Sequence, residues 1–233
     1  MLPPTAIAFD LDGTLIDSRG DIVAAMNHAL IRTGRPPLPG PVIVRFVGDG
    51  ARALCARSAQ LPEHSDEVSE LVDIFIAYYS DHPVDFTRWS PAAQETLEVF
   101  AEEMPDLALG ICTNKPRRTT EAVLGALGIR TRFRGIVAGD DLPEKKPAPG
   151  PLLLMAKLLR TSPEAMVMVG DGAQDVECAR RAGMRSVAVD SGFSSRERLV
   201  AARPDVLLRS LSELPDVIHR WRDATARVSI ASR

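Results

Sequence analysis

The chain has 233 residues, 45% of them hydrophobic and 25% charged, an ordinary globular composition with length for one large domain or one domain plus an insertion. A net charge of −3 offers no basic face for nucleic acid or an anionic membrane, and no apolar run is long enough to cross a bilayer. The opening MLPPTAIAF lacks the basic start and long apolar centre of a signal peptide, so the expectation is a cytoplasmic protein.

AIAF (6–9) reads as the first strand. From 17 to 87 the pattern turns helical and shows no convincing strand. DIVAAMNHALIRTG (21–34) places Ile22, Met26, Ala29 and Leu30 on one face and stops at Gly34. Pro36, Pro37, Pro39 and Pro41 forbid helix until VIVRF (42–46); a further helix begins near Ala51, and SELVDIFIAYYSD (69–81) is helical again. LALGIC (107–112), GIVA (135–138), MVMV (166–169), SVAV (186–189) and DVLL (205–208) are strands apolar enough to be buried on both faces. Between them lie the helices TTEAVLGALG (119–128), GPLLLMAKLLR (150–160) and DVECARRAGM (175–184). The tail, RWRDATARVSIASR (220–233), reads as a solvated, frayed end. This alternation predicts an α/β fold, a doubly wound and mostly parallel sheet. Residues 1–16 and 88–233 form its core and 17–87 an inserted α-helical cap domain.

Polar residues fall at the strand ends. Asp10 follows the first strand, with Asp12 two residues on, Thr113 follows the second, Lys146 lies in the loop after GIVA and Asp171 follows MVMV. A parallel sheet converges such loops on one crevice. A lone DLDG is usually only a turn, and a lone lysine is usually solvated; their order at successive strand ends is what carries the signal. Three carboxylates in one pocket need a cation, and Mg²⁺ suits them because it is hard, prefers oxygen and binds carboxylate together with phosphate. An ionised aspartate beside an electrophilic phosphorus can attack it, while a second acid protonates the leaving alkoxide and then activates water. Thr113, Asn114 and Lys146 supply donors and charge for phosphoryl oxygens. Spacing alone leaves open which of Asp10 and Asp12 is the nucleophile. Cys55, Cys112 and Cys178 are in no ligand spacing and read as buried, reduced thiols; the four histidines are scattered and read as surface or packing residues.

DLDGT (10–14), ICTNK (111–115), KKPAPGP (145–151) and GDGAQD (170–175) resemble the four ordered motifs of the haloacid-dehalogenase-like phosphatases. The resemblance implies a Rossmann-like core, Asp10 as nucleophile, Asp12 as acid/base, Thr113 as phosphate binder and Lys146, in preference to Lys145, as phosphoryl stabiliser. It also implies Mg²⁺ held by the Asp10 carboxylate, the Asp12 carbonyl and Asp171, with Asp175 as a supporting acid. FVGDGARALCAR (46–57) and the wording around the motifs are similar to the branch of the family that hydrolyses 2-phosphoglycolate. Gly48 and Gly50 precede a helix whose free N–H groups would receive a small carboxylate, with Arg57 beside them; the competing reading is a plain tight turn with Arg57 solvated and Asp49 filling the anion position.

Two segments depart from the family pattern: Gly172 replaces a common Ser or Thr, and TRWSPAAQETL (87–97) replaces the usual Pro-Gly-Val. The expected partner is a small phosphorylated carboxylic acid, with no nucleic acid and no membrane, and the protein is expected as monomer or homodimer. Alternatives are a broader sugar-phosphate, nucleotide or pyrophosphate phosphatase, a phosphomutase, or a phosphate-responsive signalling module without turnover. A dehalogenase is disfavoured, because that branch lacks an acid at the position of Asp12.

Overall fold

The apolar runs named above become strands because each can bury both faces. The computed structural model describes residues 2–190 and 192–231, with side chains through residue 224. Among these, six strands form one parallel sheet: β1 (Ala6–Phe9), β4 (Ala108–Cys112), β5 (Gly135–Val137), β6 (Met166–Gly170), β7 (Arg185–Val189) and β8 (Val206–Leu208), in the order β5-β4-β1-β6-β7-β8. Side chains alternate in size across it. Ile7, Phe9, Ile111, Val167 and Val169 fill one face, whereas Ala6, Ala8, Ala108 and the flexible Met166 and Met168 line the other. The second face admits α7 (Gly150–Leu158) and α8 (Ala173–Ala182) at close range.

α6 (Arg117–Ala126) starts two residues before the predicted helix because Pro116 supplies a ready N-terminus, and α8 ends where Gly183 takes φ 73°. α5 (Ala93–Glu103), α9 (Arg196–Ala202) and α10 (Leu214–Ala231) complete the layers. The expected frayed tail is helical as far as Ala231, and its side chains from residue 225 onward lie outside the described residues.

Between β2 (Ile16–Asp17) and β3 (Arg88–Trp89) lie the helices α1 (Arg19–Arg32), α2 (Gly40–Val44), α3 (Ala51–Ala59) and α4 (Asp66–Asp81). α4 is the hub of this insert, packing on α1 and α3 and reaching α6. Its apolar side chains merge with those of one sheet face into a single cluster. α2 starts two residues earlier than the proline run predicts, since Pro41 sits in its first turn, where no N–H is needed.

β2 and β3 pair antiparallel, Ile16 with Trp89 and Asp17 with Arg88, closing the insert with a short ribbon. Two-residue strands carry no readable periodicity, so the sequence does not announce them. Asp21, 2% exposed, fastens the same ends: it accepts from Phe86 N at 3.0 Å and from Thr87 Oγ1 at 2.6 Å. Beyond the ribbon, Ala92 is held at φ 60°, a left-handed conformation that strains any residue with a Cβ. Ala92→Gly should therefore stabilise the fold by about 0.5–1 kcal/mol, read as a rise in thermal midpoint of a few degrees. An unchanged or lowered midpoint would mean the strain is already compensated.

Candidate active site

The chain runs outward from β1 to β4 and β5, then returns to the other side of β1 for β6, β7 and β8. Such a reversal opens a crevice beyond the carboxyl end of the central strand. Phe9 is level with Ile111 and with Val169, so the residues after all three strands emerge side by side: Asp10 from β1, Thr113 from β4 and Asp171 from β6. Oxygens of Asp10, Asp171 and Asp175 lie within 4.8 Å of one another, and all three residues are buried.

Lys146 reaches this cluster from the loop before α7. Its Nζ donates to Cys112 O at 2.7 Å and to Asp175 Oδ1 at 2.6 Å, and lies 3.1 Å from Asp10 Oδ1. Burial opposes its charge, but Asp10 and Asp175 outweigh burial and raise its pKa above the ordinary lysine range. Asp10 Oδ1 also accepts from Leu11 N at 2.8 Å, leaving Oδ2 without a partner among the described residues. Asp171 accepts from Thr14 Oγ1 at 3.1 Å and Phe193 N at 2.6 Å, yet burial, Asp10 and Asp175 push its pKa up to about 8. Asp175 is raised by burial against the pull of Lys146, and its second oxygen accepts from Gly172 N at 3.0 Å. One lysine does not neutralise three crowded acids. A buried all-oxygen donor set with this surplus of negative charge fits a hard divalent ion.

The loops are shaped around these carboxylates. Gly13 sits at φ 87°, and a Cβ there would fall 2.4 Å from Asp171 Oδ2, so the glycine of DLDG is obligatory. At Gly172 a Cβ would meet the Gln174 amide, and Gln174 takes that space.

Asp12 stands apart from the cluster. Ser18 Oγ donates to its Oδ1 at 2.6 Å, and Lys115 Nζ lies 3.1 and 3.2 Å from its two oxygens. Lys115, its side chain 3% exposed, packs 3.9 Å over the ring of Tyr79 from α4. Burial lowers the Lys115 pKa while Asp12 pulls it back up. Lys115 and Thr14 both stand inside the motifs that sequence reading singles out, yet neither receives a role there. A lysine one position before a proline looks solvated until tertiary packing buries it.

Other candidates are placed as follows. Thr113 is buried and its hydroxyl accepts from Lys115 N at 3.2 Å, leaving its own hydrogen to donate. The Asn114 amide is already committed: it donates to Gly48 O and Lys146 O, both at 2.9 Å, and accepts from Lys146 N at 3.0 Å. It fastens the Lys146 loop and the insert to β4, so a phosphoryl contact from this residue is left to its backbone. Gly48, Gly50 and Arg57 line the same cavity of about 680 Å³ as Asp10, Thr113 and Asp171. Gly50 caps α3 at φ 91°, and Asp49 already engages Arg57 at 2.6 Å.

The three cysteines are free and buried, and burial pushes the thiols of Cys55 and Cys178 up to about 12, out of reach of nucleophilic chemistry at neutral pH. His28 and His82 both stack on Tyr78, at 4.2 and 4.4 Å, and the metal-competent cluster contains no histidine. Among the described residues no helix is long and apolar enough to cross a membrane.

Fold and site together define an α/β enzyme with an acidic centre at the switch point of its sheet. The family described as haloacid dehalogenase-like hydrolase matches residues 7–189. A phosphoglycolate phosphatase of Chromobacterium violaceum is 37% identical over 218 residues, covering 91% of this chain and 96% of that one. The phosphoglycolate phosphatase of Escherichia coli is 32% identical over 228 residues, 89% of this chain and 90% of its own. The crystal structure of a predicted phosphoglycolate phosphatase from Haemophilus somnus superposes with a TM-score of 0.83 at 28% identity, covering 93% and 99% of the two chains. The chain belongs to the haloacid dehalogenase-like hydrolases and is a phosphatase. A signalling module without turnover is thereby set aside.

Proposed function

We propose that the protein is a Mg²⁺-dependent phosphomonoesterase that hydrolyses 2-phosphoglycolate to glycolate and phosphate through an aspartyl-phosphate on Asp10. The observation that carries this reading is the asymmetry of the Asp10 carboxylate: one oxygen is held by Leu11 N and Lys146, and the other is unbonded in a residue that lines the cavity. A carboxylate with one oxygen fixed and the other free is what an in-line attack on phosphorus requires.

Asp10 Oδ2 forms the new bond to phosphorus as the ester P–O bond breaks, and Asp12 gives its proton to the departing glycolate oxygen. Asp12 then takes a proton from water, whose oxygen attacks the same phosphorus and frees Asp10 and phosphate. The Thr113 hydroxyl and Lys146 meet the equatorial oxygens in both halves. Magnesium, held by the Asp10 carboxylate, the Asp12 carbonyl and Asp171, would supply the positive charge that lets these acids remain ionised beside a phosphoryl group. Asp175, with both oxygens engaged, supports from behind. The helical segment 17–87 acts as a cap domain on the 1–16 and 88–233 core, with its Gly48, Gly50 and Arg57 lining the cavity that takes the substrate. The favoured partner is thus a small phosphorylated carboxylic acid, met in the cytoplasm by a monomer or homodimer.

A panel of phosphomonoesters and inorganic pyrophosphate, assayed with purified protein, tests the substrate. Fast release from 2-phosphoglycolate is expected, lost on chelation and restored by Mg²⁺. Comparable rates on sugar phosphates or pyrophosphate would overturn the substrate assignment, and undiminished activity after chelation would overturn the metal.

The raised Asp171 pKa makes metal binding visible in stability as well. Unfolded, the carboxyl releases its proton near pH 4, whereas the folded, metal-free chain keeps it until about pH 8. The folded state therefore binds more protons in this window, and metal-free stability falls as pH rises through it. A bound cation replaces that proton, so the rise in melting temperature on adding millimolar Mg²⁺ should be larger at pH 8 than at pH 6. An equal rise at both would show that Mg²⁺ displaces no proton from Asp171 in this range.

A further inference from the structure

We infer that Lys115, with the Tyr79 hydroxyl beside it, receives the substrate's carboxylate and so selects phosphoesters that carry an acid next to the ester oxygen. The inference rests on the phosphomonoesterase reading above and extends it to specificity.

In 2-phosphoglycolate the carboxylate carbon is two bonds from the ester oxygen that leaves. Once Asp12 has given its proton to that oxygen it is itself an anion, and the substrate's carboxylate lies beside it. Two anions in a buried setting demand a cation between them. Lys146 cannot serve, because it sits beside Asp10 and Asp175, where the reading above commits it to the phosphoryl group. Arg57 is engaged by Asp49, and Arg45 and Arg198 are exposed residues at the rim of the cavity. Lys115 remains. It lines the cavity, is buried, and is already within 3.2 Å of both Asp12 oxygens.

Tyr79 adds the second contact. Its hydroxyl is buried near Ser18 but makes no hydrogen bond of ordinary geometry among the described residues, and the residue lines the same cavity. A buried hydroxyl left unsatisfied is costly, and a carboxylate oxygen bridging it to the Lys115 ammonium would satisfy it. Phe75 packs against Tyr79, and Ile22 and Leu54 line the same cavity, an apolar setting that strengthens the pairing and disfavours a neutral hydrophilic tail.

The test compares kcat/KM for 2-phosphoglycolate and for its neutral isostere, the phosphate ester of glycolamide, in wild type, Lys115→Met, Lys115→Arg and Tyr79→Phe. The wild type should prefer the acid. Lys115→Met should reduce that preference about 100-fold, mostly through KM for the acid, whatever loss the two substrates share. Lys115→Arg should keep part of the preference, and Tyr79→Phe should reduce it several-fold. A preference that survives Lys115→Met while both rates fall equally would overturn the inference and leave the phosphatase reading intact. Should Lys115→Met fail to fold, the wild type decides alone. A substrate whose carboxylate is one carbon farther from the ester oxygen should be hydrolysed at least tenfold less efficiently, and equal efficiency overturns the inference. A wild type that hydrolyses neither ester overturns the phosphomonoesterase reading and this inference with it.

Discussion

Asp10→Asn should leave no measurable turnover, a fall of about 10⁴-fold or more, because an amide cannot carry the covalent phosphoryl intermediate. The substitution is nearly isosteric, and the carbonyl oxygen it retains can still accept from Leu11 N, the 2.8 Å contact that orients the side chain. Its folding should therefore survive, which a melting curve checks independently. Acid quenching during turnover should trap protein-bound phosphate in the wild type and none in the variant. Retained activity in Asp10→Asn would move the nucleophile elsewhere, Asp12 being the nearest rival in sequence.

Lys146→Met should damage both stability and activity. The ammonium is buried at 3% exposure and is the counter-charge built into the acid cluster, 2.6 Å from Asp175 and 3.1 Å from Asp10. Removing one partner of a buried pair leaves the other charge uncompensated and costs about 3–5 kcal/mol. Here the stranded groups are carboxylates that already raise the Asp171 pKa. Added Mg²⁺ should recover part of the lost melting temperature in the variant, by neutralising the same acids. Activity should fall about 10³-fold even with saturating metal, since the phosphoryl oxygens lose a fixed cation. Lys146→Arg should rescue little, because a planar guanidinium does not fit a site whose three contacts surround one ammonium. An unaltered melting temperature in Lys146→Met would show that the cluster does not depend on this residue.

The order of strands and the residues after them are legible without coordinates. AIAF, MVMV and the other short apolar runs leave few choices but buried parallel strands, and loops after such strands must open on one edge. That is why Asp10, Thr113, Lys146 and Asp171 can be brought together on paper. The ribbon of β2 and β3 is not legible, since two residues have no period. Lys115 is not either, because nothing local distinguishes a lysine that will be buried from one that will be solvated. Asn114 reads as a ligand for phosphoryl oxygens by type, but its amide is used up on Lys146 and Gly48, a partnership formed only when distant loops meet.

By itself the sequence determined the α/β alternation, the run of helices between the first two strands of the sheet and the chemical kinds of side chain that follow the strands, because periodicity and strand ends are local properties of the chain. The tertiary structure alone decided which acids crowd together and which stands apart. Asp171 and Asp175 share a cluster with Asp10 across the sheet, whereas Asp12, two residues away from Asp10, is drawn to Lys115 and Ser18. The physical reason is that charge interactions depend on distance and burial through space. Chain spacing constrains neither once a residue has left its own strand.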